Sequence, residues 1–296
     1  MEVTTTTAGH AVDGRAPAIE LLGGVLRSLL RIPVGERRLR KRYAAFFKRS
    51  YGSAPELFTE KLFKRMIVLN RRQDPLMTRL ADKFRARDWV ADRIGEHHLP
   101  KLFWHGAAAA ALPFRQLPDR CVIKTNHGSG QVIVKDGLLD EVSVKTRLNA
   151  WLGENYYWRM QERQYLEIEP HILVEEFLEG GDDGPLDYRF WCFDGHVAAI
   201  QVDNHSHSIC PFYDVAWQRL DLSYRDGARH VEIDRPAGLE QMLDIAATLS
   251  RGLAFVRVDL YNIAGRILFG EMTFTPAAGQ MHLPRAWDER LGALWK

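Results

Sequence analysis

The pattern of the chain changes once, near Leu99-Pro100, and that change limits the folds open to it. Before it, apolar residues recur at steps of three and four, the period of an amphipathic helix. Leu21, Leu22, Val25, Leu26, Leu29 and Leu30 share one face. Further helices are predicted over 36–49, 59–70 and 77–95, with a break at Asp74-Pro75 and Gly95 as a C-terminal cap. Beyond Pro100, short strand-like runs take over: 121–124, 131–134, 171–177, 188–193, 196–202, 256–261 and 266–272. Asp136-Gly137, Asp194-Gly195, Asp226-Gly227 and Ala264-Gly265 suit the hairpin turns between them. Two helices, 144–152 and 239–252, interrupt the strands. This is an α+β body with mostly antiparallel sheets over 99–296, behind a helical region over 18–98 and a Thr-, Ala- and Gly-rich leader over 1–17 that is expected to be disordered.

Composition removes several function classes. With 46% hydrophobic and 26% charged residues, the chain has ample material for a core and is not a disordered protein. Lys+Arg 40 against Asp+Glu 38 leaves a formal +2, far from the balance of a dedicated nucleic-acid binder. Cys121, Cys192 and Cys210 are widely spaced and form no CxxC pair, which argues against a disulfide framework or structural zinc and fits a reducing compartment. No run reaches the roughly 18 apolar residues that span a bilayer. A cytoplasmic protein is expected.

Three segments can carry chemistry. In 121–134 a strand ends in Lys124, and Gly128, Ser129 and Gly130 form a small loop before the next strand. Such a loop can turn backbone N–H groups towards an anion, or it can be an ordinary hairpin. It lacks the GxxxxGK[ST] pattern of a Walker A loop. Near the end, Asp259 and Glu271 each interrupt an apolar strand, with Arg257 close by. If the strands pair across Ala264-Gly265, both acids can share one face and hold Mg²⁺, or one of them can simply pair with Arg257. In 172–180 an apolar strand runs into Glu175, Glu176, Phe177 and Leu178, either a hinge beside a purine ring or a strand with a charged end.

In this order, the three segments resemble the ATP-grasp superfamily, and residues 43–296 look like the TupA-like (teichuronopeptide-biosynthesis) ATP-grasp proteins. The strings that carry the likeness are LPDRCVIKTNHGSG (117–130), DYRFWCFDG (187–195), FVRVDLY (255–261) and GEMTFTP (270–276), with NYYW (155–158). The resemblance implies two subdomains with mostly antiparallel sheets that clasp a nucleotide. It further implies that Lys83 and Lys124 serve the nucleotide, that residues Gly128 to Gly130 close over its phosphates, and that Glu175, Glu176 and Leu178 form the adenine hinge. Asp187 would meet the ribose, Arg257 the transferring phosphate, and Asp259 and Glu271 would hold Mg²⁺. Thr273 stands at the second metal position, where most such ligases carry asparagine. Pro276-Ala277-Ala278-Gly279 replaces the usual Pro-Gly-Ser-Gly.

The implied activity is an ATP- and Mg²⁺-dependent carboxylate–amine ligase. Its substrates would be a small-molecule or glycan carboxylate and an amine, a sugar acid or amino acid bound for a surface polysaccharide. A phosphotransferase acting on a hydroxyl, and a glycan-binding protein without activity, are the alternatives. Arg189, Gln201 and Asp203 can point into the cleft towards the substrate. The cations of Arg37, Arg38, Arg40, Lys41, Arg42, Lys48 and Arg49 form a solvated helix face or a contact for an acidic glycan, an anionic membrane or a partner enzyme. The aromatic run from Trp151 to Trp158 suits a core, with a sugar-stacking platform as the second reading.

Overall fold

The computed structural model describes residues 15–52, 54–181, 183–225, 228 and 231–296, with side chains from residue 31 onward. Residues 1–14 of the leader, the Asp226-Gly227 turn and the side chains of the Leu21–Leu30 face lie outside this set; residues 15–17 open the first helix.

The helical region consists of α1 (Arg15–Phe47), α2 (Phe58–Arg71), α3 (Pro75–Ala81) and α4 (Ala86–Ile94). The two helices expected on either side of Pro33 are one, α1. Proline removes a backbone donor and crowds the preceding turn, but α2 holds the helix on both sides of it. Arg31 Nη1 donates to Asn70 O at 2.9 Å, and Asn70 Nδ2 donates to Ile32 O at 2.9 Å. Gly35 permits this approach: a Cβ there would lie 2.8 Å from Asn70 Nδ2 and from the Tyr157 hydroxyl. The helix expected over 77–95 is instead two, because Asp82 intervenes. Its Oδ1 accepts from the backbone of Phe84 (2.8 Å) and Arg85 (3.3 Å), a local bond that competes with the helical ladder.

Beyond Pro100 the elements are β1 (Leu102–Gly106), β2 (Arg120–Thr125), β3 (Val132–Asp136), α5 (Glu141–Leu152), α6 (Tyr157–Met160), β4 (Ile172–Glu176), β5 (Asp187–Phe193), β6 (His196–Asp203), β7 (Phe212–Tyr213), α7 (Leu239–Ser250), β8 (Val256–Ile263), β9 (Arg266–Thr273) and α8 (Arg285–Leu294). They build a first sheet of order β1-β4-β2-β3 and a second of order β7-β6-β5-β8-β9, all pairs antiparallel. Asp194-Gly195 and Ala264-Gly265 both adopt positive φ (46° and 83°; 50° and 87°) and close hairpins as expected. Asp136-Gly137 does not: β3 ends there and the chain leads into α5.

Helix α5 covers the first sheet, with Val144 and Leu148 against Ile123, Ile172 and Val174. The second sheet is covered on both faces. Met242, Ile245 and Leu249 of α7 pack on Phe190, Ile200 and Val258. On the other face, Phe58 and Leu62 of α2 and Leu291 of α8 pack on Trp191, Phe193 and Phe255. This second cover is partial. Residues two apart on a strand share a face, so Asp187 and Arg189 continue the face of Trp191 and Phe193 beyond the reach of α2.

Candidate functional site

The two sheets face each other across a cleft of about 450 Å³. On the first sheet, β2 delivers Lys124 to the mouth of the cleft, and the chain then turns through residues 126–130. The base of this turn is fixed. Asn126 Nδ2 donates to Asp82 Oδ1 and Glu169 O, both at 2.9 Å, while its Oδ1 accepts from His171 N at 2.7 Å. His127 is buried behind it, and the tip, Ser129 and Gly130, is exposed. Gly130 has φ +73°, a conformation that favours glycine.

Lys124 Nζ lies 2.5 Å from Glu175 Oε2 on the neighbouring strand β4, and Arg87 Nη1 binds the other oxygen at 3.1 Å. Glu175 is thus a buried acid between two cations. Glu176 and Leu178 continue along the wall. Glu176 accepts from Lys101 N at 2.7 Å and pairs with Arg266 at the start of β9, on the opposite sheet. The helix break at Asp82 places Lys83 between the walls, its Nζ 3.0 Å from Gly128 O and 3.3 Å from Glu271 Oε2.

On the second sheet the functional side chains form rows, because paired residues on adjacent strands project to one side. Gln201, Arg189, Asp259 and Glu271 make one row; Asp203, Asp187 and Tyr261 make the next. Asp259 and Glu271 are therefore direct cross-strand neighbours. A register shift sets this pairing: Asp259 faces Glu271 but Leu260 faces Phe269, so Gly270 is an extra residue in β9. A Cβ on Gly270 would stand 3.1 Å from Asp259 O and from the Tyr261 ring.

The charges in these rows are interlocked. Arg257 grips Asp259 through Nε (2.7 Å) and Nη2 (2.5 Å) and reaches Thr273 Oγ1 at 3.1 Å; Thr273 in turn donates to Glu271 at 2.9 Å. Arg189 Nε donates to Asp187 Oδ2 at 2.8 Å, and its Nη1 donates to Asp203. Burial works against the Glu271 carboxylate, but Lys83 and Arg257 outweigh it and hold the group down at about 2. Burial pushes Asp187 and Asp259 up, against the pull of Arg189 and Arg257. It pulls both guanidiniums down, and the acids around them more than restore their charge.

Most expected site residues converge here. Lys83, Lys124, Gly128, Ser129, Gly130, Glu175, Glu176, Leu178, Asp187, Arg189, Asp259 and Glu271 all line the one cleft. Four do not. Arg257 and Thr273 stand on the same sheet face one pair further along and are committed to Asp259 and Glu271. Gln201 and Asp203 are fully buried: Gln201 is taken by Trp191 and Tyr224, and Asp203 by Arg189, Arg225 and His207. Sequence reasoning missed Asp82, Arg87 and Asn126, which hold the others in place. Asp82 alone carries a local signal, a helix-capping residue type two positions before Phe84.

Two observations bear on what the cleft can hold. Asp187 Oδ1 is buried with no hydrogen-bond partner, an acceptor ready for a hydroxyl donor at the cleft wall. Asp259 and Glu271 offer hard oxygen donors. Among the described residues no three His, Cys, Asp or Glu form a metal cage. A carboxylate pair of this kind suits Mg²⁺, which binds through one or two acids and completes its shell from phosphate and water.

Two sheets clasping a cleft with cations on one wall and paired acids on the other define the ATP-grasp class. The model of the family described as TupA-like ATPgrasp matches residues 60–296, and the chain belongs to that family. Among solved structures it is similar to D-alanine–D-alanine ligase from Bacillus anthracis: 17% identity, 66% of this chain, 57% of that one, TM-score 0.39. It is also similar to the ATP-grasp ligase PsnB complexed with minimal precursor (16%, 79% and 67%, TM-score 0.40). A third is phosphoribosylamine–glycine ligase from Thermotoga maritima (12%, 69% and 51%, TM-score 0.39). No curated protein sequence matches the chain. Among the described residues no helix is long and apolar enough to cross a membrane.

Proposed function

We propose that the protein is an ATP- and Mg²⁺-dependent carboxylate–amine ligase that activates a sugar acid or amino acid as its acylphosphate, in the making of a polysaccharide or related conjugate. The observation that carries the reading is the placement of Asp259 and Glu271 side by side, across one cleft from Lys83, Lys124 and the Gly128–Gly130 loop.

In this reading Lys124, steadied by Glu175, and Lys83 neutralise phosphate oxygens, and the glycine-rich loop covers them with backbone N–H groups. Glu175, Glu176 and Leu178 form the wall beside the base, and Asp187 Oδ1 accepts from a ribose hydroxyl. Asp259 and Glu271 would hold Mg²⁺, with Thr273 Oγ1 donating to Glu271 and orienting it, and the ion would supply Lewis-acid stabilisation of the transferring group. Arg257, bonded to Asp259 and 3.5 Å from Glu271, orients the two acids and offsets their mutual repulsion. A substrate carboxylate oxygen bonds to the terminal phosphorus as the bond to the ADP oxygen breaks, with no proton moved. The amine then displaces phosphate and gives up one proton. Preorganised charge meets both demands without a nucleophilic side chain.

Arg37, Arg38, Lys41 and Lys48 make no ion pair among the described residues, whereas Arg40 and Arg49 pair with Glu36 and Glu60 and Arg42 turns inward to Met160 and Gln161. These cations, three on α1 and Lys48 just past its end, would provide a contact for an acidic glycan.

Thermal unfolding with and without Mg·ATP tests the nucleotide site: at about 100 times Kd a bound ligand adds about 2.7 kcal/mol of stability. No shift at millimolar nucleotide overturns the reading. Mass spectrometry after incubation with ATP, sugar acids and amines then distinguishes an amide from a phosphoester.

A further inference from the structure

We propose that Lys83 and a divalent cation are rival partners of Glu271, so that a cation taken up there displaces the Lys83 ammonium and frees the glycine-rich loop that it holds. The place of the cation rests on the ligase reading; the grip of Lys83 on the loop does not.

Lys83 is fastened to the loop at both of its ends. Its backbone N donates to Asn126 O at 3.2 Å, at the base of the turn, and its Nζ donates to Gly128 O at 3.0 Å, further along it. The neighbouring Asp82 takes the Asn126 side chain at 2.9 Å. Residues 82–83 and 126–128 are thereby one unit. The same ammonium pairs with Glu271 Oε2 at 3.3 Å, on the second sheet. A single charged group thus spans the cleft.

Glu271 has no free oxygen to offer instead. Its Oε1 accepts from Thr273 Oγ1 at 2.9 Å and lies 3.5 Å from Arg257 Nη2, while Oε2 faces Lys83. A cation between Asp259 and Glu271 therefore meets the ammonium at one carboxylate. Lys83 is mostly buried, so the repulsion between the two is not screened away as on an open surface. The acids cannot yield, because strand pairing and Arg257 fix them. The lysine can, since its long stem swings about its own bonds. Once it leaves, Gly128 O loses its donor, and the Gly128–Gly130 backbone is free to turn its N–H groups towards phosphate. The displaced ammonium is then available to the same phosphate oxygens.

Mn²⁺ binding to the full-length, metal-free protein, followed by the paramagnetic resonance of the free ion, tests the rivalry. Lys83→Met should bind Mn²⁺ about tenfold more tightly than the wild type, with Lys83→Gln as a second variant showing the same gain. Lys124→Met removes an equal charge from the same cleft, but one paired with Glu175, and should stay within about twofold of the wild type. Amide exchange over residues 126–131 reads the release. Mn²⁺ should speed it about threefold or more in the wild type, whereas in Lys83→Met it should be fast from the start and indifferent to the ion. Equal Mn²⁺ affinity in the wild type and both Lys83 variants, or an equal gain in Lys124→Met, overturns the rivalry. Wild-type exchange that slows or stays constant at saturating Mn²⁺ overturns the release. Mn²⁺ ignored by the wild type and both Lys83 variants overturns the proposal, and Mn·ADP binding to the wild type then leaves the ligase reading standing. Mn²⁺ affinity unchanged in Glu271→Gln sinks the metal site of the ligase reading, and the proposal with it.

Discussion

At Gly270 the final hairpin gains one residue, and the side on which Glu271 emerges depends on it. The Ala264-Gly265 turn pairs Ile263 with Arg266 and Tyr261 with Leu268. Continued without interruption, that register would set Glu271 opposite Val258, in the core beneath α7. The bulge turns it onto the face of Asp259 instead. A Cβ at Gly270 would crowd Asp259 O and the Tyr261 ring, so Gly270→Ala should cost about 1–2 kcal/mol in a denaturant titration. Glu271→Gln should lower turnover by about 100-fold or more and, because Lys83 and Arg257 favour the carboxylate, should also lower the melting temperature at about pH 7. A different residue-level tension lies in the Pro276-Ala277-Ala278-Gly279 turn, where Ala277 and Ala278 sit at φ 49° and 48°. The turn keeps its left-handed form without the expected glycine, so Ala277→Gly should raise stability by up to about 1 kcal/mol. The pairing of Asp259 with Glu271 was legible as two acids in neighbouring strands. The bulge that makes it so was signalled only by a glycine inside an apolar run.

Strands and helices here do two jobs along their length. Strand β5 gives Trp191 and Phe193 to the core and Asp187 and Arg189 to the cleft from one face. Periodicity revealed the strand but not where its cover stops, because α2 and α8 come from distant sequence. For the same reason β1, β7, α6 and α8 escaped: the first three are short, and all four are defined by their partners. Asp288 of α8 accepts from Thr59 N (2.8 Å) and Thr59 Oγ1 (2.7 Å) at the start of α2. Asp288→Ala should cost about 2 kcal/mol of unfolding free energy. Between α1 and α2, Arg71 and then Arg40 hold Glu36 below the ordinary carboxylate value of 4.5. A depressed acid contributes stability above its unfolded value and loses it as pH falls through the folded one. Glu36→Gln should therefore melt lower than the wild type at about pH 7, and the gap should close below about pH 4.

Across the whole molecule, the pair of Arg266 with Glu176 joins the two sheets directly, and the segment of Lys83 and Arg87 ties them together through Lys83 to Glu271 and Arg87 to Glu175. The Arg266 pair is exposed and screened by salt. Arg266→Ala should leave stability within about 0.5 kcal/mol but increase the radius of gyration measured by X-ray scattering in the absence of nucleotide. The convergence of the two halves was readable only through the order of three motifs, since no local pattern encodes a contact between Lys83 and Glu271. The interlocked acids and arginines of the second sheet have an evolutionary consequence. A single exchange at Arg189, Arg257, Asp187 or Asp259 strands an uncompensated charge away from water, so drift one position at a time is blocked. Divergent relatives should swap these residues in matched couples, and an ancestral intermediate with only half of such a swap should be poorly folded.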